Sequence, residues 1–261
     1  MKSKDIRQKA REILKDLPGK YQLFLIPIIL SVFSMSLTMR ESIIPINSVM
    51  SFDFGVTFFP LFIQLLLAFF LTSACFTMLE VVRHKQREVS FSNVNLVFST
   101  EIFGKLVMTV LVRWLYLILW SLIWIVGTII TVIGTLALVN NLTLNTDTTS
   151  AAIVTGVGLI IFLIGIGILI VKQYSYSMAE YILYDKLTAN NYNGPREILA
   201  ESNRLMKGYK WKLFVLEFSF FGWYILTAFT FGLLYFYVLP YSSTAHVIFY
   251  NQRLAHLEEK E

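Results

Sequence analysis

The sequence predicts an all-α fold: a polytopic transmembrane helical bundle of about six spans, accompanied by cytoplasmic amphipathic helices. Three observations carry that expectation. Apolar residues make up 56% of the 261-residue chain and charged residues only 15%, where a soluble domain carries about 25% charged. The charges stand in blocks, separated by long uncharged runs. When those runs are read as helices, all of the 22 Lys and Arg except Arg40 fall on one side of the membrane.

A helix needs about 20 apolar residues to cross roughly 30 Å of hydrocarbon. Runs near 21–39, 56–79, 114–139 and 151–171 reach that length. The last apolar stretch, 213–250, is too long for one span, and Gly232 sits where a tight turn divides it into spans near 213–231 and 233–250. Hydrocarbon offers the backbone no hydrogen-bond partners, so these runs are helices. Residues 21–261 then form a single membrane domain. Lys and Arg gather before the first run, between the second and third, between the fourth and fifth, and in the tail. The positive-inside rule places both termini in the cytoplasm of a multi-pass protein of the plasma membrane. The same asymmetry explains the net charge of +5. It suits anionic lipid at the cytoplasmic face, whereas nucleic acid is excluded because acids interleave the bases and no recognition motif is present.

Residues 1–20 hold an amphipathic helix over 3–17, with Ile6, Ala10, Ile13, Leu14 and Leu17 at helical spacing and charge opposite. Pro18-Gly19 ends it. Such a helix either lies in the membrane interface or packs on the protein's own cytoplasmic side. The loop 172–212 holds another: Asn193-Gly194-Pro195 reads as a helix start, Ile198, Leu199, Ser202, Leu205 and Met206 share a face, and Gly208 is a C-cap. The loop at 83–105 is similar, with Ser90 or Ser92 as caps.

Few residues suggest chemistry. Cys75 stands alone in an apolar run, so no intramolecular disulfide is available. Glu217 is the one acid within a span, about five residues past Lys212 and so roughly 7 Å deep. A charge there needs a partner or a proton, and Arg113 and Lys212 are the candidates for pairing. Asp185 has Lys210 or Arg204 as expected partners. Gly127 and Gly134, like Gly158 and Gly165, are seven apart and predict close helix packing. His84, His246 and His256 lack metal-ligand spacing, and no nucleotide-binding or hydrolase signature occurs. The chain is therefore expected to be no enzyme and to need no cofactor.

The C-terminal half resembles a family of bacterial integral membrane proteins known only as a domain of unknown function. The resemblance rests on Tyr174-Ser175-Tyr176-Ser177-Met178, Tyr181-Ile182-Leu183 and Asp185, then Ser202 and Leu205-Met206-Lys207-Gly208-Tyr209-Lys210. It continues through Leu213-Phe214, Ser219-Phe220-Phe221-Gly222-Trp223, Thr230-Phe231-Gly232, Pro240-Tyr241 and Phe249-Tyr250. Family members carry a Pro-Gly bend where Ile168-Leu169 stand here, so the bend is not expected. The family is similar in appearance to the membrane domain of some glycerophosphodiester phosphodiesterases, which implies a lipid-adjacent setting and supplies no catalytic residues.

The expected function is that of a non-enzymatic, envelope-related membrane protein that binds lipid or a partner protein at its cytoplasmic face. The alternative is a small secondary transporter or exporter of an amphiphilic or peptide substrate. Either way the candidate functional or docking residues are Tyr174, Ser177, Asp185, Lys207, Gly208, Lys210, Glu217, Gly222, Trp223, Pro240 and Tyr241.

Overall fold

Long apolar runs with few breakers can satisfy their backbone only internally, and the computed structural model is accordingly all-α. It describes residues 2–43, 54–144 and 146–259, among which there is no strand. The helices are α1 (Ser3–Lys15), α2 (Lys20–Ile43), α3 (Phe54–Val82), α4 (Phe103–Thr143) and α5 (Thr149–Ser175), then α6 (Ala179–Thr188), α7 (Pro195–Leu205), α8 (Lys210–Phe218), α9 (Phe221–Phe229) and α10 (Tyr235–Glu258). A 3-10 segment, Phe91–Phe98, precedes α4. The loop expected between the first two spans falls mostly at 44–53, outside the described residues.

Five stretches are long and apolar enough to cross a membrane: Lys20–Leu37, Phe58–Val82, Phe103–Thr143, Thr149–Thr188 and Lys210–Phe229. They are compatible with a multi-pass membrane protein. The sixth expected span, 233–250, falls in α10, which is not among them. α4 exceeds its expected length because no breaker stands between Phe103 and Thr143; its 41 residues reach about 60 Å, roughly twice the hydrocarbon core. α5 runs unbroken through Ile168-Leu169, as the missing Pro-Gly pair leads one to expect.

The chain divides into two compact units. The first comprises Met1–Leu106, Leu183–Tyr192 and Trp211–Glu261. Its centre is α10, buried almost continuously from Val238 to Tyr250 and packed by α1, α2, α3 and α9. Ile6, Ala10 and Leu14 of α1 are buried in the face that meets α10, so α1 packs on the protein itself. Gly19 (φ +78°) makes the turn into α2, where a Cβ would fall 1.7 Å from the Val89 carbonyl oxygen. On α3, the Ser73 hydroxyl donates to the Asn93 carbonyl (3.0 Å) and accepts from the Val97 amide (3.3 Å), fixing the 3-10 segment. Ser90 starts that segment, its amide donating to Asn93 Oδ1 at 2.9 Å.

The second unit comprises Val107–Ile182 and Asn193–Lys210. Here α4 and α5 form a hairpin held by reciprocal glycine contacts. A Cβ at Gly127 would lie 2.3 Å from Phe162 N and one at Gly165 2.4 Å from Trp124 N; Gly134 and Gly158 face Thr155 and Thr131 as closely. Small residues let helix backbones approach where apolar burial provides no drive in lipid. α7 starts at Pro195, after Gly194, and buries Ile198, Leu199, Ser202 and Leu205. The fully buried Ser202 hydroxyl donates to the Ser175 carbonyl (2.9 Å) and accepts from the Met178 amide (3.3 Å), clamping the turn between α5 and α6.

The glycine contacts predict a sharp position effect. Gly127→Ala is expected to cost about 1–3 kcal/mol by overpacking, whereas Gly156→Ala, with nothing within 4 Å of the added Cβ, is expected to be neutral. Thermal unfolding of both variants in detergent measures the difference.

Candidate functional site

The polar residues of the first unit form two features, and the first is a clasp around Asp185. Arg83 follows the last residue of α3, where the chain leaves the helix through His84 (φ +58°). Asp185 lies on α6. Arg83 Nη1 and Nη2 donate to Asp185 Oδ1 and Oδ2 at 2.6 and 2.8 Å, the bidentate geometry in which planar guanidinium and carboxylate match best. Tyr250 of α10 donates its hydroxyl to Asp185 Oδ2 at 2.6 Å, and Arg83 Nε donates to Asn251 Oδ1 at 3.1 Å. The hydrogen bonds and charge of Asp185 hold the guanidinium above its ordinary pKa. Beside the clasp, the Tyr184 ring stacks on Phe76 at 4.6 Å between centroids, and Glu80 reaches Lys85 at 3.5 Å.

The clasp corrects the expected pairing of Asp185 with Lys210 or Arg204. Arg83 directly follows α3, and its guanidinium fork meets both oxygens of Asp185. Arg113, one of the two cations expected beside Glu217, pairs with Glu180 instead, and His246 Nε2 stands 3.5 Å from Glu217 Oε1. Glu217 stands on α8 and His246 on α10, so the contact joins two helices.

The second feature is a cavity of about 300 Å³ between α1, the start of α2 and α10. Arg11, Lys15 and Lys20 supply its charge; Tyr21, Tyr237 and Tyr241 line it with aromatic surface. No acid lines it. Lys20 Nζ donates to the Leu14 carbonyl at 2.5 Å, which tethers the ammonium at the end of α1, and stands 5.3 Å from the Tyr21 ring centroid. Tyr241 is buried, with Phe220 edge-on at 4.9 Å, and Tyr237 packs between Tyr241 (5.6 Å) and Trp223 (5.5 Å). A cradle of three cations and phenol rings can hold an anion that carries apolar surface; it would repel a quaternary ammonium.

The candidate residues therefore separate. Pro240 and Tyr241 line the cavity, and Trp223 supports it through Tyr237. Asp185 forms the clasp, and Glu217 the contact with His246. Gly222 is exposed, with open space at its missing Cβ. Tyr174, Ser177, Lys207, Gly208 and Lys210 belong to the second unit. There the Ser177 hydroxyl donates to the Tyr174 carbonyl at 2.9 Å, Lys207 is exposed, and Gly208 (φ +78°) turns the chain between α7 and α8. Among the described residues, no three His, Cys, Asp or Glu side chains gather as metal ligands. Sequence reasoning missed Arg83, Tyr250 and Asn251, and missed Arg11, Lys15 and Lys20 as one group. An Arg directly after an apolar run was the available signal for the first; the second group needs the α1 turn.

Breaking a buried charge pair from one side leaves an uncompensated charge and costs about 3–5 kcal/mol. The Arg83 and Asp185 side chains keep 18% and 22% exposure, so Asp185→Asn is expected to cost about 2–3 kcal/mol, the low end after solvent screening. Tyr250→Phe is expected to cost about 1 kcal/mol. Thermal unfolding of the single variants and of a double-mutant cycle with Arg83→Met measures both values.

No curated protein and no solved structure matches the chain. The family model described as "Protein of unknown function (DUF975)" matches residues 1–256, and the chain belongs to that family.

Proposed function

We propose that this chain is a non-enzymatic protein of the bacterial plasma membrane, with both termini cytoplasmic, which binds anionic lipid at its cytoplasmic face. One observation carries the reading: Arg11, Lys15 and Lys20 converge with three tyrosines on a cavity without a lining acid. Lys20 and Tyr21 begin an apolar stretch long enough to cross, which supports a position of the cavity at headgroup depth, where Tyr and Lys anchor helices. The cytoplasmic assignment follows from the positive-inside rule. The clasp supports a binding role in preference to catalysis, because both oxygens of Asp185 are already engaged by Arg83 and Tyr250.

A second reading, export of an amphiphilic or peptide substrate, is favoured by one contact, the titratable pair Glu217 and His246. Proton-coupled carriers use such intramembrane pairs. Substrate counterflow in proteoliposomes that is abolished by Glu217→Gln would support it.

Binding to nanodiscs or micelles containing phosphatidylglycerol, read by native mass spectrometry, tests the first reading. Retention of phosphatidylglycerol over phosphatidylcholine is expected. Removing the charges by Arg11→Gln, Lys15→Gln and Lys20→Gln should weaken it by about 1 kcal/mol per residue, with further loss in high salt. Equal retention of both lipids by the unaltered protein would count against the proposal.

A further inference from the structure

α9 and α10 run antiparallel as a hairpin. Tyr224 Oη lies 3.1 Å from Ser242 Oγ, and one turn away the Trp223 and Tyr237 rings meet. The tip, residues 230–234, does not extend along the whole of α2. A Cβ at Gly232 would lie 3.1 Å from Val32 Cγ2, and the Tyr235 hydroxyl bonds Ser31. Val32 is about 18 Å along α2 from Lys20, near the middle of that 24-residue helix and past half of a hydrocarbon core about 30 Å thick.

The tip is apolar and bare. Phe229, Phe231 and Leu233 are 79%, 88% and 74% exposed, the exposure of a loop that meets solvent and the composition of one that meets hydrocarbon. Its backbone is closed upon itself. The amides of Thr230, Phe231, Gly232 and Leu233 donate to the carbonyls of Leu226, Ala228, Thr227 and Thr230 at 3.0, 3.2, 2.9 and 3.1 Å. The amide of Leu234 donates to Thr230 Oγ1 at 3.2 Å, and that of Tyr235 to the Gly232 carbonyl at 3.0 Å. Gly232 (φ +86°) and Phe231 (φ +49°) make this possible by both adopting the left-handed region, unusual for a bulky ring. A turn in lipid must satisfy every amide itself, because water cannot. The turn between α4 and α5 differs in kind: Asn141 Nδ2 donates to the Asp147 carbonyl, and Asp147 accepts from the Thr149 hydroxyl and amide. That is water-facing chemistry.

We infer that the α9–α10 hairpin is re-entrant. It enters the membrane from the side on which α2 begins, turns at Gly232 near the bilayer midplane, and returns to that side with its tip seated among lipid acyl chains. The hairpin thus takes the place of both expected C-terminal spans; α10 falls outside the stretches apolar enough to cross, and Lys210–Phe229, although apolar enough, would turn back at the tip. The inference rests on the membrane reading and is independent of the basic cavity.

Accessibility of single cysteines to a membrane-impermeant maleimide tests it, on a Cys75→Ala background. Thr146→Cys in the α4–α5 turn reports on the far side, and its labelling in intact cells tests the membrane orientation by itself. Leu233→Cys is expected to label at least tenfold more slowly than Thr146→Cys in intact cells, at least tenfold more slowly than Lys9→Cys on the exposed face of α1 in inside-out vesicles, and fully after denaturation. Labelling of Leu233→Cys from outside at the rate of Thr146→Cys would overturn the inference and restore two complete C-terminal spans; labelling from inside at the rate of Lys9→Cys would overturn it by placing the tip in water. Phe231→Cys provides a second position. A spin label at either position should collide more often with oxygen than with a nickel chelate, as in hydrocarbon, and the opposite preference would overturn the inference even where a cysteine variant reacts poorly.

Discussion

The salt bridge between Arg83 and Asp185 sets the arrangement of the first unit. A guanidinium at the end of an apolar helix is costly to bury unless a carboxylate meets both of its arms, and Asp185 does so at 2.6 and 2.8 Å. Tyr250 then occupies a remaining acceptor on Asp185, and Asn251 takes Arg83 Nε. These contacts fix the rotation of α10 about its axis, because Tyr250 and Asn251 are adjacent residues on it. With that rotation set, Tyr241, nine residues earlier, turns toward α1, and His246 toward Glu217. One ion pair thereby orients the helix on which the cavity and the hairpin both depend.

The two units are held together internally by different physics. The α4–α5 hairpin relies on proximity: four glycines admit the opposing backbone within distances that any Cβ would block. Its remaining surface is apolar, and only 11% of its most apolar windows is buried, which suits contact with acyl chains. The first unit instead concentrates polar groups at buried positions, with Ser73, Thr77, Ser242, Ser243, Thr244 and Arg253 all inside. Several of these hydroxyls close on backbone carbonyls one turn back, as Thr244 does on Pro240 at 2.7 Å. That contact caps the carbonyl of the proline within α10 and needs no outside partner.

Much of the fold was legible in the sequence because it follows from run length and periodicity. The four early spans, the break at Pro18-Gly19, the start of α7 at Pro195 and the glycine seams are local or pattern-borne features. The pairings were not legible. Asp185 and Arg83 are 102 residues apart, and no local rule selects Arg83 over the nearer Lys210 or Arg204. The choice depends on where α3 ends beside Asp185 within the first unit. The basic cavity was hidden for a related reason: Arg11, Lys15 and Lys20 read as a topological signal, and only the return of α10 beside α1 makes them one site.

In the C-terminal stretch, run length and the observed contacts point to different topologies. Residues 213–250 contain enough apolar chain for two spans, and counting alone assigns both. Length, however, measures only how far a helix could reach. How far it does reach is set by what its far end touches, and here that is Val32 and Ser31, partway along α2. The composition of the tip adds a second constraint. A turn emerging into water benefits from Asn, Asp and Thr, which the α4–α5 turn uses, whereas Thr230-Phe231-Gly232-Leu233 offers one hydroxyl and spends it on the amide of Leu234. Polarity at a turn thus carries topological information that hydropathy averaged over a span discards, and the two measures disagree at Gly232.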